Sequence, residues 1–315
     1  MMAATIILVL APNFFVLAGG YCAGRLRVVD NGNVDSLNVL VMNFALPAAL
    51  FVATASAPRE ELLAQAPLFA ILGLVMLTVH LAWYVLARWL WQATRADASL
   101  QALTISFPNL AGVGLPIAAS LLGPSGMVPV AVALASGSII VSPLSLLIVE
   151  MSGGQKNPAE KPIARTLRAL RRAMTKPIVL APALGIVFAL SGFKLDAVAK
   201  ECLMLIGRAA PGVALFLTGL VLSSQPFRLD WKIIAATFVA DIVRPLLTVA
   251  VVFALPVAPE TAKIAILMAA VPSGFFGILF AVSYRLDSAA IGSMVFASTV
   301  FSIVTMAIAI AVLYP

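Results

Sequence analysis

Runs of about twenty apolar residues, almost free of charge, recur along this chain, and each is long enough for an α-helix to cross a bilayer's hydrocarbon core. In that core the backbone must satisfy its own hydrogen bonds, so only helices and closed barrels can span it. Barrel strands alternate apolar and polar residues over about ten positions, whereas these runs are continuous. The expected class is therefore an all-α membrane protein. Composition agrees: 62% of the 315 residues are hydrophobic and 10% are charged, against about 25% charged in a soluble domain. Ten blocks can be marked, near residues 4–24, 37–56, 67–91, 99–122, 127–149, 177–193, 201–222, 232–255, 261–284 and 288–313. The first lacks the basic region of a signal peptide and reads as a retained span.

The net charge of +7 reports orientation and calls for no nucleic acid, because cytoplasmic loops of membrane proteins collect Lys and Arg. With the N-terminus outside, inner loops hold fourteen Lys and Arg residues and outer loops hold four, Arg59, Lys194, Lys200 and Lys263. Both termini are then expected outside and the loop from Glu150 to Lys176 in the cytoplasm, in an inner or plasma membrane. Cys22 and Cys202 have no partner spacing, so neither a disulfide framework nor a metal site is implied. The loop places Ile163, Leu167, Leu170 and Met174 on one helical face and arginines on the others. It reads equally as an amphipathic helix at the headgroups or as a solvated basic linker.

That loop divides the chain into residues 1–149, the loop 150–176, and residues 177–315, with five blocks on each side. An odd number of spans per half makes the halves inverted repeats. FPNLAGVGLPIAASLLG, from Phe107, aligns with VPSGFFGILFAVSYRLD, from Val271, at an offset of 164 that places Pro108 on Pro272 and Pro47 on Pro211. LVLAP ending at Pro12 matches IVLAP ending at Pro182 at an offset of 170. Chance similarity between apolar helices is the alternative.

Span four carries Pro108, Asn109, Gly112, Gly114 and Pro116 within nine residues, which predicts unwinding over Gly112 to Leu115. Pro272, Ser273, Gly274 and Gly277 form the corresponding weak point of span nine. Interrupted helices at equivalent places in two halves point to a substrate site near the midplane, where half-helix N-termini suit a carboxylate. Packing kinks are the alternative. Four ionisable groups fall inside spans: His80, Arg208, Asp241 and Arg244. Asp241 and Arg244 are spaced i, i+3 and can pair on one helical face. The offset of 164 relates Arg244 to His80, so the three are expected to cluster, as a coupling or substrate site or as a staple between spans three and eight. Arg208 reads as snorkelling and is left out.

NFALPAALF in span two, FPNLAGVGLP in span four and PGVALFLTGLVL in span seven resemble the auxin efflux carrier family in its compact bacterial form, which includes malonate and malate carriers. The resemblance covers nearly the whole chain. It implies a fold shared with bile-acid symporters and sodium–proton antiporters: a scaffold of spans one, two, six and seven, and a moving unit in which broken spans four and nine cross. It also implies a small organic anion as substrate, carried by an elevator-type movement. The expected substrate-binding residues are Asn43, Asn109, Gly112, Gly114, Pro116, Pro272, Ser273 and Gly274. Ser273 departs from the pattern where span four has Asn109, and Phe280 stands opposite Pro116. No cofactor is expected; coupling to protons or sodium, the direction of flux and a homodimer are open. A sodium- or proton-coupled carrier of a bulkier, bile-acid-like carboxylate is the alternative, followed by a channel. An enzyme is disfavoured, since the chain has one histidine and neither a Walker loop nor a GxSxG elbow.

Overall fold

The computed structural model describes residues 2–31, 34–153, 167–168, 170–172, 174–224 and 229–314. Half of the amphipathic stretch expected between Ile163 and Met174, Ile163 included, lies outside these residues. The chain is built from helices α1 Met2–Arg25, α2 Asp35–Ala55, α3 Ala66–Leu90, α4 Arg95–Ser106, α5 Leu110–Leu122 and α6 Val128–Ser152. It continues with α7 Pro177–Leu190, α8 Ala197–Ser224, α9 Trp231–Ala254, α10 Pro259–Ala270, α11 Phe276–Ser283 and α12 Ala289–Leu313. Among the described residues, six helices (α2, α3, α6, α8, α9 and α12) are long and apolar enough to cross a membrane. Each sequence block contains helix, but the fourth is divided between α4 and α5 and the ninth between α10 and α11. The helix in the sixth block, α7, has only 14 residues, about 21 Å at 1.5 Å per residue.

Side chains such as Leu205 and Phe253, more than four-fifths exposed, stand outward where lipid would meet them. Inside, glycines set the helix crossings. A Cβ on Gly20 would collide with the Phe216 carbonyl and one on Gly219 with the Leu17 carbonyl, so α1 and α8 touch backbone to backbone. Helix α7 meets α2 in the same way at Gly185, against Thr54 and Phe51. Small residues at such crossings allow close van der Waals packing, which drives association where lipid removes the hydrophobic drive.

Prolines shape four helices by one rule. The π-helical turns Val41–Ala45, Leu110–Gly114, Gly137–Val141 and Val239–Val243 each end two residues before a proline: Pro47, Pro116, Pro143 and Pro245. Proline offers no N–H and its ring clashes with the carbonyl four residues back. A turn wound one residue wider moves that carbonyl aside without ending the helix. In α8 the response to Pro211 is a kink at Arg208–Ala209, where Ala209 N–H bonds the Ile206 carbonyl at 3.1 Å.

Helix α4 is buried on every side from Ala98 to Ser106, enclosed by α3, α6, α11 and α12. Thr94 caps its start by accepting from Asp97 N–H at 3.1 Å. Its far end is the first half of the site.

Candidate functional site

The two interrupted helices meet at their breaks. After Ser106 the backbone turns extended at Phe107, and Asn109 N–H donates to the Pro272 carbonyl at 2.8 Å. In return Gly274 N–H donates to the Phe107 carbonyl at 2.9 Å, forming an isolated antiparallel bridge between Pro108 and Ser273. The pairing satisfies backbone groups that neither helix can, in a place closed to water. Phe107 and Phe276 stack above it, with centroids 4.6 Å apart and planes 7° from parallel. Gly137 of α6 makes room for the Phe107 ring, which a Cβ there would approach to 2.7 Å.

The unwound stretch is therefore Phe107–Asn109, not the expected Gly112 to Leu115, which the structure places in the first turns of α5. Pro108 stops α4, and Asn109 then starts α5: its Oδ1 accepts from Gly112 N–H at 3.0 Å and its carbonyl takes Val113 and Gly114 N–H. Loss of such a cap costs about 1 kcal/mol. Asn109→Ala should therefore lower the thermal unfolding midpoint by a few degrees, while Asn109→Asp keeps it. Equal midpoints for Asn109→Ala and wild type in detergent would remove the capping role.

Arg244 binds the ends of both leading half-helices. Its Nε donates to the Ala269 carbonyl at 2.9 Å, and its two terminal nitrogens donate to the carbonyls of Ile105 and Val271. A wholly buried guanidinium thus lies where two helix C-termini, the negative ends of their dipoles, converge. Asp241, one turn earlier, faces other groups. Ser273 N–H donates to Ser298 Oγ at 2.8 Å, and the Ser298 hydroxyl donates to Asp241 Oδ1 at 2.7 Å. Asp241 Oδ2 and Ser273 Oγ are buried without a hydrogen-bond partner.

Among the described residues no ion pair joins Asp241 to Arg244. The i, i+3 argument assumed an α-helix, whereas the π turn Val239–Val243 carries one residue more, and the two groups act on each other as charges without a direct ion pair. His80 is buried in α3 with both ring nitrogens unpartnered. Its neighbours Val79 and Trp83 share an apolar cluster with Ala236 and Ala240 of α9.

A cavity of about 620 Å³ opens against the first turns of α5, just after the first break. Its walls come from the second half of α2 and the two residues after it (Leu46 to Ala57), the start of α8 (Lys200 to Pro211), Ala111 and Leu115 of α5, and Val128 and Leu134 of α6. Arg208 belongs to this wall and pairs with Glu201 at 2.8 Å, its side chain 62% exposed. At the other end of α2 the molecule is closed. Asn38 donates to the Leu279 carbonyl at 3.0 Å and to Ser283 Oγ at 2.8 Å, tying α2 to α11. Tyr284 donates to Glu150 at 2.7 Å, Arg172 lies 3.4 Å from the same carboxylate, and Lys176 stands 5.3 Å over the Tyr284 ring.

Of the residues singled out in the sequence, Asn109, Pro272, Ser273 and Gly274 come together at the bridge. Gly112 and Gly114 lie in the first turns of α5, and Pro116 follows in its backbone, its side chain outside the described residues. Asn43 is apart, exposed at a small pocket shared with Pro177 and Leu180 of α7. Sequence reasoning missed Ser298, Asn38 and Glu150, which no motif marks. A serine in an apolar helix gives no signal until its partner is known.

The profile of a family described as membrane transport protein matches residues 5–310. An uncharacterized transporter, YfdV of Escherichia coli K12, is 30% identical over 276 residues, 86% of each chain. An uncharacterized transporter of Methanothermobacter thermautotrophicus is 25% identical over 292 residues, 91% of each chain. A putative malonate transporter of Rhizobium meliloti is 25% identical over 217 residues, 69% of this chain and 67% of that one.

Proposed function

We propose, from the premise that this chain belongs to the membrane transport protein family, that it is a secondary carrier of small organic anions. Malonate-like dicarboxylates fit best. The observation that carries the reading is the pairing of two helix breaks at Pro108 and Ser273, the first of which leads directly into a helix turn that lines an open cavity. Irregular backbone at membrane depth persists only where protein packs it or a wet cavity meets it. The first turn of α5 contributes Ala111 and Leu115 to that cavity, so its N-terminal dipole favours a carboxylate there.

The halves 1–149 and 177–315 are proposed to be inverted five-span repeats about the loop 150–176. The reciprocal close crossings, α1 on α8 and α7 on α2, support this. Those four helices would form the scaffold, and the rest would move past it with both breaks. The Lys and Arg bias puts the termini outside, so the cavity opens outward and the end closed by Asn38 and Glu150 faces the cytoplasm. Asp241, with Oδ2 unpartnered one serine away from the bridge, is the group placed to take a coupling proton or sodium ion. The malonate assignment draws on the named activity of the Rhizobium meliloti relative.

Purified protein in vesicles should take up radiolabelled malonate saturably and show counterflow against internal malonate. Flux linear in concentration without counterflow would mean a channel and overturn the reading. Asn109→Ser, which keeps a capping oxygen but removes the amide, should weaken malonate affinity.

A further inference from the structure

The cavity's lining is apolar apart from Ser56 and one group of charges. Its charged residues, among those described, are Lys200, Glu201 and Arg208, two cations and one anion on the first turns of α8. Low-dielectric walls around a few charges concentrate their field, so the one net positive charge of the lining acts strongly on a solute inside the cavity. Pro211 brings this about: by kinking α8 at Arg208–Ala209 it sets Gly207, Arg208 and Ala210 along the cavity wall.

Glu201 is 2.8 Å from the Arg208 guanidinium, two helical turns away, and both side chains are about 60% exposed. An exposed pair of this kind contributes little net stability, so another carboxylate can replace Glu201 at small cost. Arginine is suited to that exchange, since its planar fork of donors takes a carboxylate in two parallel bonds. Lys200 lines the same cavity and supplies a second positive charge.

We infer that Lys200, Glu201 and Arg208 form an anion-receiving group at the cavity mouth, where a carboxylate of the substrate displaces Glu201 from Arg208 before moving inward. This deepens the carrier reading and rests on it. Glu201 acts as a built-in competitor: it holds Arg208 in place and sets the affinity threshold an anion must exceed. A mono- or dicarboxylate passes; a neutral or cationic solute of equal size does not.

The test uses the full chain with Cys22→Ser and Cys202→Ser, and Ser56→Cys on the cavity wall as reporter. Modification rates are compared for anionic and cationic thiol reagents of similar size, relative to a free thiol in solution. The anionic reagent should be preferred several-fold, on the order of the lower end of cleft focusing effects. Glu201→Gln should raise the preference, Arg208→Gln should abolish it and Arg208→Lys should restore part of it. Malonate should slow labelling, more in Glu201→Gln and not in Arg208→Gln. A charge preference unmoved by both substitutions would overturn the receiving group whatever the protein transports. Protection by an anionic phospholipid in place of malonate would overturn its assignment to substrate. A preference that responds as expected, without malonate uptake or protection, would remove the carrier reading and leave the electrostatic part intact.

Discussion

Arg244→Ala should abolish transport and sharply reduce stability, the largest single effect expected in this protein. The side chain is wholly buried and its three donor nitrogens serve the carbonyls of Ile105, Ala269 and Val271. Truncation strands three buried acceptors, each costing roughly 1–3 kcal/mol, and removes the one positive group where two helix dipoles end. A loss on the order of 5 kcal/mol follows, and uptake should fall more than about 100-fold because the breaks lose their relative placement. Arg244→Lys should recover only part of both, since an ammonium cannot span carbonyls on two helices as a planar fork does. Thermal unfolding in detergent and malonate uptake read the two effects. A wild-type midpoint in Arg244→Ala would show that the guanidinium does not join the half-helices.

Gly274→Ala should come next. The site for its Cβ is filled by the Phe107 carbonyl with Pro108 behind it, both backbone atoms that no rotamer change can move. One methyl group therefore has to separate the strands of the bridge, breaking the bond from Gly274 N–H to Phe107. A change of this kind costs about 1–3 kcal/mol, and transport should fall at least about tenfold. Gly212→Ala is the control: nothing lies within 4 Å of a Cβ there, and alanine suits a helix better. Equal uptake by the two variants would show that the close approach at Gly274 is not needed.

Sequence made the all-helical class and the two weak points readable, because a hydrocarbon environment leaves the backbone so few options and Pro108, Asn109, Pro272 and Gly274 interrupt a helix wherever they fall; of the ten blocks marked, six are helices long and apolar enough to cross a membrane among the described residues. It did not reveal which residues the interruption covers. Asn109 is a strong capping residue, so α5 starts directly after it, and Gly112 and Gly114 serve a wide first turn instead of a loop. Asp241 and Arg244 were misread for a related reason. Their spacing in sequence is fixed, but their angle around the helix depends on the π turn that Pro245 induces two residues downstream of it. That Arg208 lines the cavity was not legible, because its place on that wall depends on how α8 packs against α2 and has no local signal. The Arg244 clamp joins residues 25 to 139 positions apart, a distance over which no local pattern operates.

Among the described residues, few polar bonds close the end of the molecule opposite the cavity: the amide of Asn38 on α11, and Glu150 with its partners Tyr284 and Arg172. Each is worth about 1 kcal/mol net, while the two breaks are bound to each other far more firmly. On the proposed reading, the two accessible forms then differ by only a few kcal/mol, and both are populated at rest. A bound anion needs no large binding energy to tip such a balance; a differential affinity of roughly 1–3 kcal/mol moves the population between them by tens of fold. Exchange rate in this carrier would accordingly be set by how weakly Asn38 and Glu150 hold, and a modest-affinity substrate would suffice to turn it over.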